Sequence, residues 1–174
     1  MDNNKKLELF SWIKVVLTAI IIAVVINNFV IVKAEVPTGS MENTVMTNDR
    51  IIGFRLAYLF TAPKRGDIVM FPFPDDESIN YLKRVIGLPG EVVEIIDGKV
   101  YINGSSEPLD EDYIKEAPKG SFGPYTVPDD SYFMLGDNRN SSVDSRFWNH
   151  PFVKKDKIIG KAIFRYSPTW SFIE

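Results

Sequence analysis

Ser40, Lys83 and His150 are the residues whose types and settings bear most on nucleophilic chemistry. Ser40 stands in "VPTGSMENTV", between a glycine and a methionine. An unassisted serine hydroxyl is a weak nucleophile and needs a base to take its proton. A Ser-His-Asp arrangement would have to use His150, the only histidine in the chain. His150 sits in "FWNHPF", a polar turn before proline, and reads first as a surface loop residue. The other source of a base is a lysine held neutral. Lys83, in "INYLKRVIG", lies in a strand-like run between apolar residues, where desolvation lowers a lysine pKa. In a strand, Tyr81, Lys83 and Val85 share one face and Leu82 and Arg84 the other. Lys83 and Arg84 then point to opposite sides, so one can be buried while the other stays solvated or salt-bridged. Bringing a lysine from about 10.4 to near neutrality requires roughly 4 kcal/mol, within what burial supplies. The plain alternative is an exposed strand lysine, and spacing alone favours it.

Composition narrows the chemistry. The 174 residues suggest one domain, two at most, and contain no cysteine, which excludes disulfides, thiolate metal sites and a cysteine nucleophile. The formal net charge is −3 and there is no long basic run, so nucleic acid binding has no support. A metal site would need clustered carboxylates, and the sequence offers no such set.

The elements that must position these residues follow from patterning. The run "WIKVVLTAIIIAVVINNFVIV", Trp12 to Val32, is long enough to span hydrocarbon if Lys14 snorkels to the interface and Asn27 and Asn28 lie near the far end. A transmembrane anchor fits best. A cleaved signal peptide and a buried soluble helix are the alternatives; the run is long for the first, and Lys14 with the Asn pair suits the second poorly. Lys5, Lys6 and Lys14 precede or begin the span, and only Lys33 lies just beyond it before Glu35, so residues 1–11 are expected in the cytoplasm. Residues 12–32 then cross the membrane, and residues 33–174 form one extracytoplasmic domain. There, short β-like runs alternate with turn signals: "RIIGFRLAYLF", "DIVMFPF", "YLKRVIGLPG", "EVVEIIDGKVYING", "YFMLGDNR" and "KIIGKAIFRYSP". Asp97-Gly98 marks a two-residue hairpin. A short turn is expected around Met41 to Val45, and no long helical period follows residue 33. The fold class is mostly β, an antiparallel domain tethered by one helix.

Four motifs occur in one chain in order: "PTGSM" after the span, "RGDIVMF", "YLKRVIGLPGE" and "GDNRNSSVDSRFW". Together they resemble bacterial type I signal peptidase, a membrane-anchored serine protease with a Ser-Lys dyad, from the anchor to about Tyr166. The resemblance implies that Ser40 is the nucleophile and Lys83 the general base. It implies that Thr38 and the Ser40 N–H form the oxyanion hole, that Ser142 orients the lysine, and that Asp137, Asp144 and Arg146 buttress the site. Asp67 falls in a motif read as structural. The implied substrates are exported preproteins bound as an extended strand and cut after small residues at an Ala-X-Ala site. "IVKAEVP" is the run expected to be extended, with Val36, Met41, Met70 and Leu82 lining shallow pockets, although apolar strand residues are core by default. The implied location is the bacterial cell membrane, with no metal or cofactor. Three departures stand out: Asn43 where proline is common, Asn140-Ser141 where Asp-Asn is common, and "FWNHP" in place of Tyr-Trp-Gly. Competing readings are a non-catalytic peptide-gripping β module, a histidine-using branch of the superfamily, which needs histidine at position 83, and a soluble self-cleaving Ser-Lys repressor protease.

Overall fold

A computed structural model describes residues 3–114 and 116–173. Residues 1 and 2 of the expected tail, and residue 174 of the expected domain, lie outside the described residues. Helix α1 (Asn3–Val25) passes into a wider π-helical turn, Ile26–Val30, that carries Asn27 and Asn28. Among the described residues, one helical segment is long and apolar enough to cross a membrane, Phe10–Val30. Its large side chains, such as Trp12, Ile21 and Phe29, are exposed rather than packed on the domain. The Lys14 ammonium lies over the Phe10 ring, 5.2 Å from its centroid, reaching back toward the helix N-terminus. Ile31 and Val32, counted above with the apolar run, already belong to the first strand.

The remainder is antiparallel β structure, as the alternating runs predict. One sheet contains β1 (Ile31–Glu35), β2 (Arg50–Phe54), β3 (Ile68–Phe73), β4 (Asp76–Gly87), β8 (Ser131–Leu135), β9 (Phe152–Lys154) and β10 (Gly160–Ser167). Their order is β1-β2-β10-β3-β4-β8-β9, with β11 (Ser171–Phe172) paired to β10. A second sheet has the order β6-β5-β7, from β5 (Val92–Ile96), β6 (Lys99–Ile102) and β7 (Phe122–Thr126). The β5–β6 hairpin turns at Asp97 (φ 48°) and Gly98 (φ 81°), the left-handed pair that a two-residue turn requires. The run from Arg50 is a strand only to Phe54; Arg55–Tyr58 is a 3-10 turn. β7, β9 and β11 were absent from the sequence reading.

Three apolar clusters fill the domain. Val36, Met41, Val45, Ile51, Ile68 and Met70 pack beside β1. Val69, Phe71, Val85, Tyr132, Met134 and Trp148 form a second cluster, and Ile86, Val93, Ile95, Val100, Phe133 and Leu135 seat the small sheet on the large one. Asp67 accepts hydrogen bonds from Tyr58 (2.9 Å), the Lys64 N–H (2.9 Å) and Lys161 (2.6 Å). Burial opposes ionisation of its carboxyl, but those donors outweigh it and hold the pKa below the usual range. The residue ties the turn after β2 to β3 and β10, as its structural reading requires.

Candidate active site

Ser40 is the middle residue of a single 3-10 turn, Gly39–Met41, that follows an extended Thr38. The turn cannot drift, because Met41 is fully buried beneath it. Backbone bonds close its return: Val36 donates to the Asp49 carbonyl at 2.9 Å and Asn48 to the Val36 carbonyl at 2.7 Å. The expected turn thus starts two residues earlier than the pattern suggested. Asn43 has φ 89°, a conformation closed to proline, whose ring fixes φ near −65°.

Lys83 comes from β4 opposite Val69 of β3. It is 3 % exposed, and its Nζ lies 2.5 Å from Ser40 Oγ. The Tyr81 ring is 5.2 Å from the same nitrogen and stacks on Phe73, giving the amine an aromatic wall. Burial pulls the Lys83 pKa down to about 8 against the opposing pull of Asp144 and Asp137, with Arg146 adding to the lowering. The exposed-lysine alternative is excluded by this burial. Thr38 Oγ1 is 3.4 Å from Ser40 Oγ. His150 is remote in character: its side chain is 76 % exposed, and its ring bonds Asp75 at 2.7 Å. It lines a separate cleft with Pro72 and Phe152.

The support residues form two buried ion pairs. Arg84, next to Lys83, grips Asp137 with two bonds of 2.8 Å, and Thr44 also donates to that carboxylate. Arg146 grips Asp144 at 2.7 and 2.9 Å, and Asp144 also accepts the Gly136 N–H. Removing one partner of such a pair leaves a stranded charge, a loss of roughly 3–5 kcal/mol. Gly136 is required by close approach. A Cβ there would lie 2.2 Å from Ser142 Oγ and 2.5 Å from the Ser40 carbonyl oxygen. Ser142 Oγ is buried with no hydrogen-bond partner among the described residues, so the bond by which the resemblance implies that it orients Lys83 is not made here. An unbonded buried hydroxyl is a liability in a fold, and this one crowds the same glycine as the Ser40 carbonyl. Asn138, which sequence reasoning passed over inside "GDNR", donates from its backbone to the Ser40 carbonyl (3.1 Å) and from its side chain to the Gly39 carbonyl (3.0 Å).

Ser40 and Lys83 open into a cleft of about 560 Å³ between β1 and β4. Val36, Met41, Met70 and Leu82 all line it. Val36, Met41 and Met70 are also core residues, with Leu82 packed against them. The arrangement pairs a hydroxyl with a buried amine in an apolar cleft, which suits acyl transfer.

Comparison with known proteins places these features. The family described as "Signal peptidase, peptidase S26" matches residues 9–170. A probable signal peptidase I-2 from Synechocystis is 42 % identical over 89 % of this chain and 72 % of its own. A signal peptidase I from Leptolyngbya laminosa is 42 % identical over 92 % of this chain and 80 % of its own. One from Bacillus licheniformis is 36 % identical over 96 % and 93 %.

Proposed function

Because the chain belongs to the signal peptidase family, peptidase S26, we propose that it removes N-terminal signal peptides from exported precursors by a Ser40–Lys83 dyad. Membership makes it a signal peptidase, a serine endopeptidase, and the one helix among the described residues that is long and apolar enough to cross a membrane fits a single-pass membrane protein. The observation that carries the dyad is the 2.5 Å contact between Ser40 Oγ and an amine that is 3 % exposed.

The reaction runs in two halves. Neutral Lys83 takes the Ser40 proton as Oγ attacks the scissile carbonyl. The Thr38 hydroxyl and the Ser40 N–H stabilise the resulting oxyanion. Lys83 returns the proton to the departing amine, the mature protein leaves, and the signal peptide remains as an ester on Ser40. Water, deprotonated by Lys83, then cleaves the ester. Ser142, whose buried hydroxyl is unbonded in this structure, turns it to Lys83 only when Ser40 gives up its contact with the amine, and the Asp137 and Asp144 pairs fix the walls. No metal or cofactor enters these steps.

The substrate lies extended along β1, whose outer edge has no strand beside it in the sheet order. An added strand gains main-chain hydrogen bonds, while pockets for alternate side chains select residues. Val36, Met41 and Met70 are almost wholly buried at 5, 0 and 4 %. The pockets they floor are therefore shallow, and alanine fits where larger residues do not. Residues 33–174 work outside the membrane, with residues 1–11 in the cytoplasm.

Acid quenching during turnover of a precursor peptide, followed by mass spectrometry, tests the mechanism. The signal-peptide acyl mass should map to the tryptic peptide containing Ser40 and be absent in Ser40→Ala. An acyl group elsewhere, or turnover without any, would refute the dyad.

A further inference from the structure

The described residues of the connection between β6 and β7, 103–114 and 116–121, lack regular structure, and connections of such length in a compact domain are uncommon unless they serve a purpose. These residues are latched to the segment that supports Ser40. The Glu111 carboxylate pairs with Arg139 through both oxygens, with side chains 7 % and 2 % exposed. Tyr113 donates to the same carboxylate at 2.5 Å. Arg84 lies over the Tyr113 ring, with the guanidinium carbon 3.9 Å from the ring centroid. Further along, Asn140 donates to the Ala117 carbonyl and accepts the Lys119 N–H, both at 3.2 Å. An aspartate, common at that position in the resemblance noted above, would lack the donor. Arg139 in turn holds the Gly136 carbonyl at 3.1 Å, and Arg84 holds Asp137.

We infer that Glu111 and Tyr113 are positioning residues for the cleavage reaction: through Arg139 and Arg84 they clamp residues 136–139, and Asn138 passes that placement to the nucleophile turn. The inference rests on Ser40 being the nucleophile. The chain of contacts is short and every link is directional. Glu111 fixes Arg139, Arg139 fixes the Gly136 carbonyl, and Gly136 packs on the Ser40 carbonyl that Asn138 binds. A small shift anywhere along it moves Ser40 relative to Lys83, and misplacement by about 1 Å costs on the order of a hundredfold in rate. Glu111, Tyr113, Arg84 and Arg139 do not line the substrate cleft between β1 and β4, so binding of the peptide should be spared.

The test is steady-state cleavage of a precursor peptide by the full chain in detergent. Glu111→Gln, Tyr113→Leu and Tyr113→Phe are compared with Asp112→Asn, an exposed neighbour in the same loop. Thermal unfolding of each variant fixes an assay temperature at which all are folded. Expected are kcat losses on the order of ten- to a hundredfold for Glu111→Gln and Tyr113→Leu, with KM within about twofold. Tyr113→Phe, which keeps the ring on Arg84, should recover most of kcat, and Asp112→Asn should match the wild type. Unchanged kcat in folded variants, a loss confined to KM, or no recovery in Tyr113→Phe would overturn the clamp. Cleavage by Ser40→Ala, run alongside, would instead remove the reading on which it rests.

Discussion

At the scale of single residues, the decisive property is the burial of one amine. Lys83 is nearly inaccessible and its pKa falls to about 8 from an ordinary value of 10.5. The sign of the stability effect follows. Below pH 8 the amine is protonated in both states, and the folded state bears the full desolvation penalty of roughly 3 kcal/mol. Between about 8 and 10.5 the unfolded chain holds more protons than the folded one, so stability rises with pH and the penalty fades. Lys83→Met should therefore abolish cleavage yet raise the thermal midpoint at pH 7, with the gain shrinking toward pH 10.5. Calorimetry at the two pH values checks this, and a Met variant less stable at pH 7 would contradict it. Ser40 and Lys83 were singled out by the resemblance of their contiguous motifs, whereas spacing alone favoured an exposed Lys83. Asn138, Arg139, Glu111 and Tyr113 were not chosen, because their roles depend on which loop meets which, and local spacing carries no such information.

At the scale of elements, turns decide what the strands can do. The strand at Ile68–Phe73 and the Asp97-Gly98 hairpin were readable, one from its compact apolar run and the other from a pair that accepts positive φ. β7 was not, since its Gly123 and Pro124 signal a loop; pairing with β5 overrides that signal. β9 and β11 are three and two residues long, too short to show any period. The turn after Ser40 carries its own prediction. With Asn43 at φ 89°, Asn43→Gly should leave stability unchanged or raise it by a few tenths of a kcal/mol. Asn43→Pro should lower it by about 2 kcal/mol or more and reduce cleavage. Thermal unfolding of the two variants separates them, and an equally stable proline variant would mean that the turn adopts another shape.

At the scale of the whole molecule, the anchor and the cleft are one continuous piece of chain. The π-helical turn ends at Val30, β1 begins at Ile31, and β1 lines the cleft with Ser40. Arg55 donates to the Ile31 carbonyl at 3.1 Å, securing the join. In the function proposed above, this join holds the site near the membrane face on which precursors emerge. Orientation is directly measurable because the chain has no cysteine. In intact cells, a cysteine introduced at Lys154 should react with a membrane-impermeant maleimide, and one at Asn4 should react only after lysis; the reverse pattern would invert the topology. The central claim is tested most directly with the full chain in liposomes, given a precursor whose signal peptide ends in Ala-X-Ala, beside Ser40→Ala and Lys83→Ala. The account predicts cleavage after the final alanine by the wild type and none by either variant, with both folded; cleavage that survives loss of Ser40 or Lys83 would contradict it.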